Sequence, residues 1–197
     1  MPEPVSSPKT KFIDTARRLF AERGFYGVSL ADVAKELGLT KQSVLYHFST
    51  KEKLYGAVIA DIAARLDGLV DSVLTEEGDG EARFRRFVEM LYGHMRDDPL
   101  DARLILRELL DNLDRAQTSR TWYLRRFLET SSELMKRRPA WRDRPAAEHD
   151  AAVYQLIGAV NYFAVSGATL EAIWGADRLG GVETAFLPTL LRQSGLD

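Results

Sequence analysis

Apolar residues recur at three- and four-residue spacing along nearly the whole chain. No stretch alternates apolar and polar residues strongly enough to make a strand. That periodicity confines the chain to an all-α fold of about nine helices. "TKFIDTARRLFAERGF" sets Phe12, Ile13, Ala16, Leu19 and Phe20 on one stripe, with Gly24 as the stop and Phe25 folding back onto the helix. "SLADVAKELG" opens on Ser29 with Asp32 three residues later, a capping-box spacing, and turns its Val33, Ala34 and Leu37 inward. Thr40 caps a short third helix ending near Phe48, and Ser49 or Thr50 caps a fourth. Leu54, Val58, Ile62, Leu66, Leu69 and Val73 keep one face of that fourth helix apolar from Lys51 to Leu74, a length of ~36 Å. Further helices are expected over residues 81–97, 100–114, 116–138, 146–174 and 181–194, with Pro188 either kinking the last or setting its start. The segment 146–174 is apolar almost all round, so it should be buried or covered by a partner.

The chain has no cysteine, which excludes disulfides, thiolate metal sites and cysteine nucleophiles and fits a reducing cytoplasm. The first residues, "MPEPVSSPKTK", show no secretory pattern. No apolar run approaches the ~20 residues that span a bilayer, so no membrane partner is expected. Charge is unevenly placed. Residues 1–56 hold nine Lys/Arg against six Asp/Glu, a net of +3; the other 141 hold 18 against 23, a net of −5. A basic end on an acidic body suits an anionic partner for the first part only.

The unit with most chemical content is the helix–turn–helix from Leu30 to Phe48. Ala34 is small where two helices would cross closely, and Gly38 occupies a turn that needs positive φ. Leu37, Leu39 and Val44 close a small core. The outward residues of the second helix, Thr40, Lys41, Gln42 and Ser43, are short or polar. Such side chains reach base edges and phosphates from a helix in a major groove, Lys donating to guanine and Gln pairing with adenine.

The stretch "TARRLFAERGFYGVSLADVAKELGLTKQSVLYHFSTKEKLYGAVI" resembles the DNA-binding half of TetR/AcrR-type transcriptional regulators. The likeness rests on "LFAERGF", the "SLADVAKELG" helix, the "GLTK" turn, and "YHF" followed by "KE" and Leu54 at the entry to a long helix. It covers about fifty residues. The other 140 match the family only in layout. The resemblance implies phosphate contacts from Ser29, Thr40, Tyr46, His47 and Lys51, and a base-facing set of Lys41, Gln42 and Ser43. Phe48 is assigned to the core. One position departs from the family: Leu45 stands where a DNA-contacting tyrosine is usual, so that contact is either lost or moved to Tyr46.

The layout divides the chain into a DNA-binding domain, residues 1–49, and a helical ligand-binding and dimerisation domain, residues 50–197. The implied function is a homodimeric repressor on a near-palindromic operator, released by an apolar or aromatic small molecule. Candidate cavity residues are Tyr92, Met95, Arg107, Trp122, Tyr123, Phe127, Tyr154, Asn161, Phe163 and Trp174, with Glu108 as the alternative to Arg107. Candidate dimer residues are Gly158, Tyr162, Val165, Thr169, Phe186 and Leu190. No cofactor is expected. His94 beside Asp97 and Asp98, and His149 beside Glu148 and Asp150, lack the His-x-x-x-His spacing of a metal site. No nucleophile–base set or phosphate-binding loop is present either, so no enzymatic activity is expected. Two rivals remain open: a DNA binder without a ligand, and a helical carrier or enzyme with an incidental helix–turn–helix. A ligand-responsive regulator predicts a cavity of a few hundred Å³ within residues 81–174.

Overall fold

The computed structural model describes residues 7–111 and 122–196. Among these the chain forms α-helices and one short 3₁₀ turn. In chain order the helices are α1 (Pro8–Arg23), α2 (Leu30–Glu36), α3 (Lys41–His47), α4 (Lys51–Thr75), α5 (Gly80–Asp97), α6 (Pro99–Asp111), α7 (Arg125–Lys136), α8 (Ala146–Trp174) and α9 (Ala176–Gln193). The 3₁₀ turn, Pro139–Trp141, lies between α7 and α8.

The helix ends follow their local chemistry. Ser29 and Asp32 form a reciprocal capping box at α2, and the Ser29 hydroxyl and N–H hold the Asp32 carboxyl below its usual range. Thr50, not Ser49, caps α4, accepting from the Lys53 N–H at 3.2 Å. Glu52 then lies in the first turn, where its own backbone N–H and the Thr50 hydroxyl keep its carboxyl low. The turn after α2 is a Schellman motif: Leu39 N–H donates to Ala34 O at 2.9 Å and Gly38 N–H to Lys35 O at 3.1 Å. Gly38 has φ 66°, which a side chain would make costly.

Several boundaries differ from the sequence expectation. The helix expected over 116–138 begins at Arg125, with Trp122 ahead of it outside any helix and Tyr123 in a turn; residues 116–121 lie outside the described residues. α6 is described to Asp111, so 112–114 also fall outside. The last helix starts at Ala176, well before Pro188, and runs through Gly180 and Gly181. Each interior glycine costs ~1 kcal/mol against alanine, but the buried Leu179 anchors that first turn. The real break is Gly175, at φ 81°.

One cluster of buried side chains runs from Phe12 through α4 to Leu196. α4 packs against α1 on one side and against α5 and α7 on the other, so it belongs to both halves of the molecule. The C-terminus is fastened by Arg138, 2% exposed, which donates to Glu81 at 2.6 Å and to the Ser194 and Gly195 carbonyls at 2.9 and 3.1 Å. Arg85 donates to the Leu196 carbonyl.

A second polar node joins α1 to α4, α5 and α6. Asp101 of α6, 0% exposed, accepts from Arg17 of α1 at 2.5 Å and from Arg65 of α4 at 3.0 Å, and lies 2.9 Å from His94 Nε2 of α5. Arg17 also donates to Asp98 at 2.6 Å, and Arg65 to Asp61. His94 therefore serves an internal ion network, and no group of three or more potential metal ligands occurs among the described residues.

The length and composition of α8 do reach those of a membrane-crossing helix, contrary to the sequence expectation. The apolar stretch passes that test because its charged residues, Glu148, Asp150 and Glu171, lie near its two ends. Only 22% of its most apolar window is buried within the subunit.

Candidate functional site

α3 is held by its inward residues and presents the rest. Val44 and Phe48 are buried; Lys41, Gln42, Tyr46 and His47 are exposed. Ser43 is half-buried, its hydroxyl 3.2 Å from that of Thr40, and its N–H is capped by Thr40. Tyr46 is 88% exposed and meets the His47 ring edge-on, while His47 leans against Phe12 at 5.5 Å. Leu45 is also exposed, at 38%. The adjacent Tyr46, His47 and Phe48 thus divide, with Phe48 inward and Tyr46 and His47 outward. Ser29 is exposed but its hydroxyl donates to Asp32 at 2.6 Å, so its first duty is the α2 cap.

Lys51 has a different environment from the one expected. Its ammonium donates to the Phe25 carbonyl at 3.1 Å and lies 4.3 Å from the Phe25 ring centroid. The chain reversal at Gly24 brings that carbonyl to the first turn of α4, so the cation has an internal partner there. Lys51→Ala is expected to lower unfolding free energy by about 1 kcal/mol, the sum of a modest hydrogen bond and a cation–π contact. The salt dependence of DNA binding should then change by less than one unit of slope; a full unit lost would return Lys51 to the phosphate contacts.

A cleft of about 690 Å³ opens between α6, α7 and α8. Its described walls include Glu108, Leu109, Trp122, Tyr123, Leu124, Leu128, Val153 and Tyr154, with Arg125, Glu129, Ser132, Asp150 and Ala151 completing the lining. Trp122, Tyr123 and Tyr154 of the expected set line it. The others do not. Tyr92, Met95, Phe127 and Asn161 are buried in the core, with Phe127 packed on Phe87. Phe163 stacks on Phe186 at 4.0 Å, and Phe186 in turn on Tyr92 at 5.6 Å. The Arg107 guanidinium lies against Gly24 instead of the cleft; a Cβ on that glycine would stand 3.0 Å from its Nη1. Glu108 is the charged residue of that pair that faces the cleft. Trp174 sits at the far end of α8, under Arg178. Asn161 is 0% exposed, and among the described residues neither of its side-chain polar atoms has a hydrogen-bond partner.

The cleft touches the long fourth helix directly. Tyr55 donates its hydroxyl to Glu108 at 2.9 Å, and a Cβ on Gly56 would meet the Tyr123 hydroxyl at 2.5 Å. Tyr55 packs edge-on against Phe20 and Phe25 of the N-terminal unit, at 5.1 and 5.2 Å. The lining residues Leu109, Leu124, Leu128 and Val153 were not singled out from sequence. Only their helical spacing could have raised them, and that spacing also describes core.

The expected dimer residues divide as well. Tyr162 is 69% exposed and Thr169 is exposed, while Gly158 faces open space. Val165, Phe186 and Leu190 are half-buried and pack partly on their own subunit's core. Phe186 in particular spends one ring face on Phe163, because α9 folds back along α8 after Gly175.

Residues 12–58 match the family model for bacterial regulatory proteins of the tetR family. Among curated proteins, the HTH-type transcriptional regulator RutR of Escherichia coli K12 is 24% identical over 87% of this chain and 81% of that protein. The negative transcriptional regulator IcaR of the icaADBC biofilm operon of Staphylococcus aureus is 45% identical over 47 residues, 24% of this chain and 25% of that protein. Among solved structures, a Clostridium perfringens putative fatty acid metabolism regulator superposes with a TM-score of 0.75 at 13% identity, covering 92% of this chain and 97% of that one. FadR of Bacillus subtilis, solved in complex with stearoyl-CoA, gives 0.69 at 15% identity, covering 92% and 96%. At these identities the structural likeness speaks for the fold.

Proposed function

We infer that this chain, a member of the TetR family of bacterial regulatory proteins, is a homodimeric repressor released from its operator by an apolar small molecule. The observation that carries the reading is the pairing of an outward α3 with a cleft that reaches the same long helix. The family supports DNA binding, ligand response and dimerisation in general. The operator, the effector and the division into residues 1–49 and 50–197 belong to the proposal. A DNA-binding role also favours the cytoplasm and gives no reason to expect catalysis.

Lys41, Gln42 and Ser43 are assigned to base edges, and Thr40, Tyr46 and His47 to phosphates, which position the protein without specifying sequence. One α3 covers a half-site, so two copies with reading helices about 34–36 Å apart fit a near-palindromic operator. The exposed apolar face of α8, with Gly158 and Gly167 open to close approach, supports that second copy as its cover. Trp122, Tyr123 and Tyr154 would hold the effector by aromatic contact in the cleft. That a neighbouring fold carries stearoyl-CoA supports an apolar occupant here.

Release follows if the effector binds better where the cleft walls have moved. Glu108 and Tyr123 press on Tyr55 and Gly56, so a shifted wall displaces the N-terminal part of α4 and the Phe20–Phe25 contact with it. A coupling of ~1–3 kcal/mol gives about 5- to 150-fold per effector, so two per dimer are needed for near-complete release.

The test is selection of binding sites from random DNA with the full-length protein. It should return a near-palindrome with half-sites one helical turn apart. Gln42→Ala should relax preference at one position per half-site by about 1–3 kcal/mol and leave binding to random DNA nearly unchanged. Equal losses on both DNAs would remove Gln42 from the reading set, and no enriched site would reject the regulator reading.

A further inference from the structure

Leu45 stands outside the buried core of the described residues. It is 38% exposed on a seven-residue helix whose core contacts come from Val44, with Phe48 just beyond its end. Successive helical residues turn by about 100°, so Leu45 lies on the shoulder of the outward face, one turn from Lys41 and Gln42. It shares that face with Tyr46, the most exposed large apolar side chain of the molecule's described residues at 88%. An exposed leucine elsewhere is unremarkable, but on a reading face every side chain meets DNA or excludes water from it.

A leucine cannot donate or accept a hydrogen bond, so it cannot replace a tyrosine on a phosphate. In a major groove the apolar feature it can meet is the 5-methyl group of thymine, which distinguishes T·A from the other pairs. We propose that Leu45 reads a thymine methyl in each half-site, next to the base contacted by Gln42, and so determines specificity at that position. The inference rests on the regulator reading above. It makes the departure at this position a change of role, from positioning the protein to selecting sequence. Tyr46, more outward and carrying a hydroxyl, keeps the polar contact with the backbone.

Deoxyuridine tests this without altering the protein, because it pairs like thymidine and lacks only the methyl. The operator obtained by selection is resynthesised with dU replacing dT at one position in both half-sites at a time, and each duplex is titrated with wild-type and Leu45→Ala protein. At one thymine beside the Gln42 base, dU should weaken wild-type binding about fifteenfold, or about fourfold per methyl, as expected for one buried carbon on each side of the dyad. Leu45→Ala should weaken binding to the dT operator to a similar degree and show no dT–dU difference there. Leu45 is at the surface, so equal thermal unfolding of the two proteins serves as the folding control. A dU effect that persists in Leu45→Ala would overturn the assignment, as would no dU effect at any position. Failure to obtain any operator would instead reject the regulator reading itself.

Discussion

Asp101→Ala is expected to remove about 3–5 kcal/mol of folding stability, the usual result of breaking a buried charge network from one side. The carboxylate is 0% exposed and is shared by Arg17, Arg65 and His94, which come from three different helices. Without it, two guanidinium groups lose their common partner in a partly dry site. Arg17 retains Asp98 and Arg65 retains Asp61, so the loss is large but not total. Urea unfolding at neutral pH measures it, and a loss below about 1 kcal/mol would show the network to be worth no more than a surface pair.

The same carboxylate carries a pH signature. Burial alone would push its pKa up, but the hydrogen bond from His94 and the charges of Arg65 and Arg17 outweigh burial and leave it below the ordinary value. A carboxyl lowered on folding contributes its full stability above the unfolded value of about 3.9 and loses it as pH falls through the lower folded value. Asp101→Asn, which keeps the shape without the charge, should therefore be less stable at neutral pH and show a shallower acid limb below about pH 4.

Tyr162→Asp is expected to separate the dimer and lower operator affinity by a factor of 10²–10⁴, the usual gain from joining two reading units. Tyr162 is 69% exposed within the subunit, so the change leaves the monomer's core intact. On a two-fold interface the new carboxylate enters an apolar contact in both copies at once. Sedimentation equilibrium should report the monomer mass, and thermal unfolding extrapolated to low protein concentration should match wild type. An unchanged dimer mass would place the interface away from this face of α8. A monomer that still bound the operator at wild-type affinity would reject the two-half-site arrangement.

Much of the reading unit was legible in residues 12–58. Glycines, caps and spacing act locally there: Ser29 with Asp32 makes a box, Gly38 makes the turn, and Val44 with Phe48 sets which way α3 faces. Lys51 was not legible. Its partner is the Phe25 carbonyl, brought in by a chain reversal that leaves no mark on Lys51 itself. The cleft was legible in kind and only partly in residues. Trp122, Tyr123 and Phe127 look equally apolar in sequence, yet the first two line the opening and the third fills the core. Arg107 and Glu108 are neighbours in one apolar run, and the helix turns one toward Gly24 and the other toward the cleft.

The sequence by itself determined that the chain is helical, where the helix–turn–helix lies, and which face of α3 is outward. Those properties depend on spacing and on residues a few positions apart, whose interactions are present whatever the rest of the chain does. The tertiary structure alone decided which aromatic side chains border empty space, which carboxylate gathers partners from three helices, and how the cleft touches α4. Periodicity tells a residue to face inward. What it meets there depends on helices far away in the chain.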